Sequence, residues 1–479
     1  MTDRITLPNA PDDVNRTLGM LQEQLEQRQP RNLLRASYYD GRHAVKQVGT
    51  IIPPSYYRVA SVLGWSAKAV DLLARRCNLD GLVWSDGDLA SLGMSEFAEA
   101  NNLKTEINAA VVTALQHGPA FLVTTKGDAS ADEPAAILTV KDALNATGEW
   151  NPRRRRLDSL LSVTGRNDEG ETTSFALYLD GETYTAEKDR GKWSWSKSEH
   201  PWGVPAEVMA YKPQPRRPFG SSRISRPIMS LHDMALRAII RLEGHMDVYS
   251  FPEMWLMGAD EGIFKNADGS QKASWQVMLG RIKAIPDDED AATPRADVKQ
   301  FSAASPDPHL AQLNALAKMF AREASLPDTS VAITDIANPT SADAYDASQN
   351  ELIAEAEGAT DDWAPPLRRA VARGLAIQNG VDGVPAEWAT IDAKWRSPRF
   401  LSRAAQADAG GKQLAAVPWL AETEVGLELL GLSEQQIRRA MADRRRSGGS
   451  AALRALTEAA AARQAAAAPP VNDAVLDAG

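Results

Sequence analysis

Two amphipathic helical stretches bracket a short insert of different character, and this order constrains the fold more than any other feature of the chain. Over 222–249, Ile228, Leu231, Ala235, Ala238 and Leu242 step by three and four, which lays one apolar stripe along a helix. At 1.5 Å per residue that helix spans roughly 40 Å, longer than one small globule requires. A second helix is expected over 309–324, with Leu310, Leu313, Leu316, Ala317 and Phe320 on one side. Between them, 251–306 reads as a small α/β module. "EMWLMG" and "DVKQFSA" are expected as strands, "ASWQVMLGRIKAI" as a short helix and "PDDEDAATPRA" as an acidic loop.

Upstream, 14–36 reads as helices broken at Pro30. A helix from about 60 ends at the turn signal Asp80-Gly81, and another runs over 95–117. The period then changes. "PAFLVTT", "AAILTV", "LDSLLSV" and "SFALYLDGETYTA" are β-rich runs, the last a hairpin across Asp180-Gly181. The fold class is therefore α+β. Beyond 341 further helices are expected, carrying Trp363, Trp388 and Trp395. The tail starts helical and fades into alanine-rich low complexity, with disorder expected in its last dozen residues.

At 479 residues the chain is long enough for two or three ordinary domains or one large elaborated one. No apolar run approaches the roughly 20 residues of a membrane-spanning helix, and the N-terminus does not read as a secretory leader. The single cysteine, Cys77, excludes an intrachain disulfide framework and reads as a small buried hydrophobe. A net charge of −10 is opposite to the footprint of a protein that grips nucleic acid tightly.

The usual catalytic constellations are missing. "QADAGGKQL" departs from a phosphate-binding loop at Gln406 and Gln413, the second of which replaces the magnesium-binding hydroxyl. Six scattered histidines form no metal-ligand pair. Asp287, Asp288, Glu289 and Asp290 invite a metal-dependent nuclease reading, but a contiguous acidic run beside prolines is usually a solvated loop. No catalytic, cofactor or metal residue is assigned. Arg153, Arg154, Arg155 and Arg156 form the densest basic run, a possible phosphate contact or a solvated face.

In "ANPTSADAYDASQNELIAEAE", Pro339 stops any incoming helix. Thr340, Ser341 and Asp343 fit a helix cap of the [ST]-x-x-[DE] type. Asp343 and Asp346 would repel an anion at that N-terminus, so capping is the better reading. Tyr345, Leu352, Ala356 and Trp363 then make a narrow apolar stripe, with Asp346, Glu351 and Glu355 opposite it.

Taken in order, "YYDG", "GWSAKAVDLLARRCNLDGLVW", "FGSSRISRPIMSLHDMALR", "FPEMWLMG", "VKQFSAASPDPHLAQLNALAKMFAREASLP" and "NPTSADAYDASQNELIAEAE" resemble the portal proteins of tailed bacteriophages. The similarity is to the long-tailed phages of actinobacteria and covers roughly 33–363. It implies a homo-oligomeric ring of twelve subunits at one capsid vertex of the virion, assembled in the host cytoplasm, through which a separate terminase drives DNA. It also implies docking to the terminase large subunit, a head-completion adaptor, and major capsid and scaffolding proteins, with only transient, non-specific contact to double-stranded DNA and no membrane.

The architecture implied is an N-terminal region and α+β wing (1–221), stem helix 1 (222–250), a clip (251–306), stem helix 2 (307–326), a tunnel loop (327–341), a wing helix with the remaining wing (342–398) and a helical crown (399–479). The alanine-rich tail departs from the family's pattern. By the same resemblance Thr329, Ser330, Thr334, Asn338 and Thr340 face DNA, and Thr340, Ser341 and Asp343 cap the helix behind them. Two other readings stay open: a head-assembly adaptor without a DNA channel, and the nuclease above.

Overall fold

Helix α1 (Asp12–Tyr39) runs continuously through Pro30, where the sequence suggested a break. Proline removes one backbone donor, but side-chain anchors on both sides hold the helix in place. Gln24 Nε2 donates to Thr147 Oγ1 at 2.6 Å and Gly148 O at 2.9 Å, Asn32 Nδ2 to Ala143 O at 2.8 Å, and Arg35 Nη1 to His117 O at 2.8 Å. This computed structural model describes residues 5–43, 63–249, 254–257, 269–270, 282–285, 297–300, 304–331, 347–400, 402–433, 435–447 and 457–459. The chain divides into two compact units, Met1–Pro398 and Arg399–Gly479.

In the first unit α2 (Trp65–Ala74) leads into strand β1 (Leu79–Trp84). Asp80-Gly81 therefore lies inside a strand, at a bulge, and not at a helix end, because β1 is claimed by a partner some 300 residues away. The helix expected over 95–117 is two, α3 (Met94–Ala100) and α4 (Leu103–His117). Asn102 takes the left-handed conformation at φ 46° between them. Buried Asn101 donates to Phe97 O and Ala136 O and accepts from Leu138 N, tying the break to the next sheet.

Strands β2 (Pro119–Lys126) and β3 (Ala136–Lys141) follow as expected. An antiparallel meander then runs through β4 (Ala146–Asn151), β5 (Arg156–Arg166), β6 (Thr172–Leu179), β7 (Glu182–Asp189) and β8 (Lys192–Glu199), in sequence order. The expected hairpin is there: Leu179 pairs with Glu182, and Gly181 takes φ +78°. Strand β9 (Ala206–Ala210) returns beside β2 to give the order β3-β2-β9. Val14, Leu18 and Leu21 of α1 cover Leu161, Phe175, Leu177 and Tyr184 of the meander.

The long helix α5 (Arg226–Tyr249) buries Ile228, Ala235 and Ala238, as its stripe predicted. After it come β10 (Met254–Met257), β11 (Ile282–Ile285) and β12 (Asp297–Gln300), a three-stranded sheet in the order β11-β10-β12. The end of "ASWQVMLGRIKAI", expected as helix, is thus a strand pairing in parallel with β10. The acidic run 287–290 lies outside the described residues. Helix α6 (Asp307–Glu323) then packs back along α5.

The two helices are antiparallel. His245 near the end of α5 sits 5.0 Å, ring to ring, from His309 at the start of α6, with its Nε2 3.0 Å from Ala304 O. At the opposite end Phe320 of α6 is fully buried, its ring 5.2 Å from that of Trp65, whereas Leu310 toward the sheet is 37% exposed. Burial is thus concentrated at the base of the pair and fades toward the inserted sheet.

Helix α7 (Asn350–Gln378) threads the main core, burying Leu352, Ala356, Trp363, Leu367 and Leu375 and packing against β2, β3 and β9. Strand β13 (Ile391–Trp395) pairs antiparallel with β1, so Trp395 is on a strand where a helix was expected; Trp388 sits in a single 3-10 turn. The second unit contains α8 (Arg403–Ala416), capped by Ser402, and α9 (Glu424–Leu429), capped by Thr423, with a helical run over 435–447. It is helical, as expected; the last twenty residues lie outside the described set.

Candidate functional site

The base of the α5–α6 pair is held by one guanidinium. Arg223, three residues before α5, is 6% exposed, and its fork reaches four segments of chain. Nε donates to Ala69 O on α2 and Nη2 to Ala324 O at the end of α6. Nη1 donates to Tyr211 Oη at 3.0 Å and lies 2.7 Å from Glu355 Oε2 on α7. A planar, permanently charged group with five fixed donors suits such a junction better than a lysine would.

Glu355 completes the cluster. Its other oxygen, Oε1, accepts from Tyr211 Oη and from Lys212 Nζ. Burial alone would push this carboxyl up, but Arg223, Lys212 and Tyr211 outweigh it and hold the Glu355 pKa below the ordinary glutamate value. Burial, with Glu355 beside it, raises the Tyr211 phenol. Glu355 was expected opposite the apolar stripe of its helix. The stripe is there in Leu352, Ala356 and Trp363, but Glu355 borders it and its side chain is only 9% exposed.

This junction sets both ends of the segment read as DNA-facing. Helix α6 ends at Ala324, Asp328–Ser330 form a single 3-10 turn, and the described chain resumes at 347 ahead of Glu355. Arg223 therefore ties down the chain on either side of 332–346. Of the predicted loop residues, Thr329 is exposed and Ser330 half-buried in that turn. Thr334, Asn338 and Thr340, and the cap residues Thr340, Ser341 and Asp343, lie outside the described residues.

A second buried pair braces α7 against β9. Glu207, 3% exposed, accepts from Arg369 Nε at 2.8 Å and Arg373 Nη2 at 2.7 Å. Trp363 Nε1 donates to Ala210 O at 3.0 Å one strand-end away. Cys77 is buried as expected, its thiol pushed up to about 12 by burial, which outweighs the opposing pull of Arg223.

The basic run falls at the tip of the β4–β5 hairpin. Asn151 Oδ1 accepts from the backbone N–H of both Arg153 and Arg154, each at 3.0 Å, and Arg155 takes φ 52°. Arg153, Arg154, Arg155 and Arg156 are all exposed, and Arg154 lies 3.6 Å from Asp180. The structure thus gives these residues a turn to build and brings none of them to the Arg223 junction.

Sequence reasoning missed Arg223, Glu355, Tyr211 and Lys212 as a group. One signal was available: in "FGSSRISRP", Arg223 follows Gly220, Ser221 and Ser222 just ahead of a strongly amphipathic helix. Among the described residues, no group of three or more histidine, cysteine, aspartate or glutamate side chains is placed to hold a metal ion, and no helix is long and apolar enough to cross a membrane.

Among solved structures, the chain is similar to one from the neck of a native GTA particle computed with C12 symmetry, at 16% identity and TM-score 0.37, covering 81% of this chain and 96% of that one. It is also similar to one from the neck of an empty GTA particle computed with C6 symmetry, at 16% identity and TM-score 0.41, covering 79% and 93%. Among curated proteins it is 27% identical over 387 residues to the portal protein of Mycobacterium phage L5, and 24% identical over 382 residues to that of Mycobacterium phage D29. Each alignment covers 78% of this chain and 77% of the relative. The SPP1 Gp6-like phage portal protein family matches residues 18–433, which takes in the whole stretch carrying the sequence resemblance and extends past it on both sides. With that match, the chain belongs to the SPP1 Gp6-like family of phage portal proteins.

Proposed function

We propose that copies of this chain close head to tail into a ring at one capsid vertex, and that the ring conducts double-stranded DNA during packaging and ejection. The observation that carries this reading is the antiparallel α5–α6 pair, buried at its base and bearing a small three-stranded sheet between its helices. In a ring, such a pair serves as the stem and its inserted sheet as the clip. The α+β body supplies the wing, α7 the wing helix, and the unit Arg399–Gly479 the crown. The segment 327–341 is the tunnel loop, with Thr329, Ser330, Thr334, Asn338 and Thr340 toward the DNA and Thr340, Ser341 and Asp343 capping the helix behind.

A conduit has to pass any sequence without holding it, and a subunit with net charge −10 suits that task. The ring works in the virion and assembles in the host cytoplasm. It docks the terminase large subunit, a head-completion adaptor, and capsid and scaffolding proteins. It carries no ATPase of its own, and the exposed run Arg153 to Arg156 makes at most a non-specific phosphate contact.

Ring closure is the first test. If twelve copies close, the 51.9 kDa chain gives a particle of about 620 kDa. Light scattering and negative-stain images of the purified protein should show closed rings with an axial hole. A protein that stays monomeric over a wide range of concentration and salt would sink the ring and with it the conduit.

A further inference from the structure

A second concentration of arginine lies away from the run at the hairpin tip. A cleft of about 1110 Å³ opens between α1 and the segment leading into α5, lined by Arg28, Arg31, Arg35, Arg216, Arg217 and Arg226. Among the described residues no carboxylate lines it, and none of the six makes an ion pair. Their bonds go to neutral groups: Arg28 to Thr147 Oγ1, Arg35 to His117 O and Arg217 to Ser221 Oγ. The chain's net charge of −10 becomes −16 without them, so this cleft is an outlier against its own chain.

The floor of the cleft has unused hydrogen-bonding capacity. His117 is 5% exposed, and among the described residues neither its buried Nδ1 nor the buried Nε of Arg35 has a hydrogen-bond partner. Unmet polar atoms at such depth cost stability until something fills them. Burial and the neighbouring Arg31 charge both lower Arg35, to about 10, so the cations repel one another as they stand.

The walls decide what kind of anion fits. Pro218, Phe219 and Met229 line the cleft, and Phe219 stacks under Arg28 at 5.0 Å. Leu34 at its edge is 42% exposed and the adjacent Leu33 53%. Apolar and aromatic surface interleaved with arginine is the composition of a protein–protein contact. Duplex DNA is stiff over about 150 base pairs, so it could touch the exposed rim but not send a phosphate to the floor. Carboxylates on flexible side chains can reach it, and arginine forks take them in bidentate fashion.

We propose that this cleft receives an acidic segment of a neighbouring copy of the chain, and is one of the two unlike patches that a head-to-tail ring contact requires. The proposal rests on the ring reading given above. The same chain offers matching carboxylates: Glu351, Glu357, Asp361 and Asp362 are exposed on α7 and none has an ion-pair partner among the described residues. Asp362 is itself pushed up, by partial burial of its carboxyl and by Asp361 beside it.

The test uses the full-length protein with three exposed rim arginines reversed, Arg31→Glu, Arg216→Glu and Arg217→Glu together. A gentler Arg31→Ala, Arg216→Ala, Arg217→Ala variant stands in should the first fail to fold. Circular dichroism and thermal midpoint establish that the subunit is intact. Mass photometry should then show the concentration for half-assembly rising about tenfold or more, while the triple Arg→Lys variant loses less. In parallel, the wild-type subunit should bind labelled polyglutamate more tightly than a labelled 30-base-pair duplex, and the rim variants should lose that binding.

Folded variants that assemble as the wild type does would overturn the proposal and leave the ring reading intact. The proposal falls equally if the variants lose duplex binding alone, which would make the cleft a nucleic-acid site. A wild type that never assembles would instead defeat the ring reading, a distinct failure.

Discussion

Replacing Arg223 with methionine is expected to destabilise the first unit by about 3–5 kcal/mol, the range for removing one partner of a buried ion pair. The loss is large because several groups are stranded at once. Glu355, with a side chain 9% exposed, loses the cation that opposes its burial, and the carbonyls of Ala69 and Ala324 lose their donors. Lys212→Met is the internal control. Lys212 touches the same carboxylate, but its side chain is 58% exposed, and exposed pairs contribute about 1 kcal/mol or less. The double variant Arg223→Met with Glu355→Leu should recover much of the loss, since a buried pair replaced by apolar groups is often close to neutral. Denaturant midpoints measure all three. Equal losses for Arg223→Met and Lys212→Met would show that the junction is not organised around the guanidinium.

Deleting 331–337 is expected to bring DNase-protected DNA in assembled heads down to background while leaving rings intact. Both sides of this segment are fixed outside it, Ala324 and Glu355 each being held by Arg223. The deletion therefore removes Thr334 and shortens the loop that carries the other proposed DNA-facing residues, without releasing α6 or α7 from the core. A ring that forms and still fills heads with DNA would refute the tunnel-loop assignment. A ring that fails to form would place this segment in subunit contacts.

What the sequence made legible was periodicity. The stripe of α5 and the alternation across Asp180-Gly181 are local patterns, and both elements formed where they were expected. Elements decided by distant partners were less legible. Asp80-Gly81 reads as a turn until Ile391–Trp395 pairs with its strand, and Pro30 reads as a break until Gln24, Asn32 and Arg35 anchor the helix on either side. Helical spacing put Glu355 beside the stripe without revealing the arginine that draws it inward. The arginine cleft is assembled from residues 28–35 and 216–226, so neither stretch looks as basic in sequence as the run Arg153 to Arg156 at the hairpin tip.

The central claim is that DNA passes through a ring of this chain, and imaging the vertex of DNA-filled heads tests it most directly. A reconstruction made without imposed symmetry should show one ring of this chain at a single vertex, duplex density along its axis and 332–340 facing that density. The same chain found away from the vertex, or a ring whose axis is closed by protein and free of DNA, would contradict it.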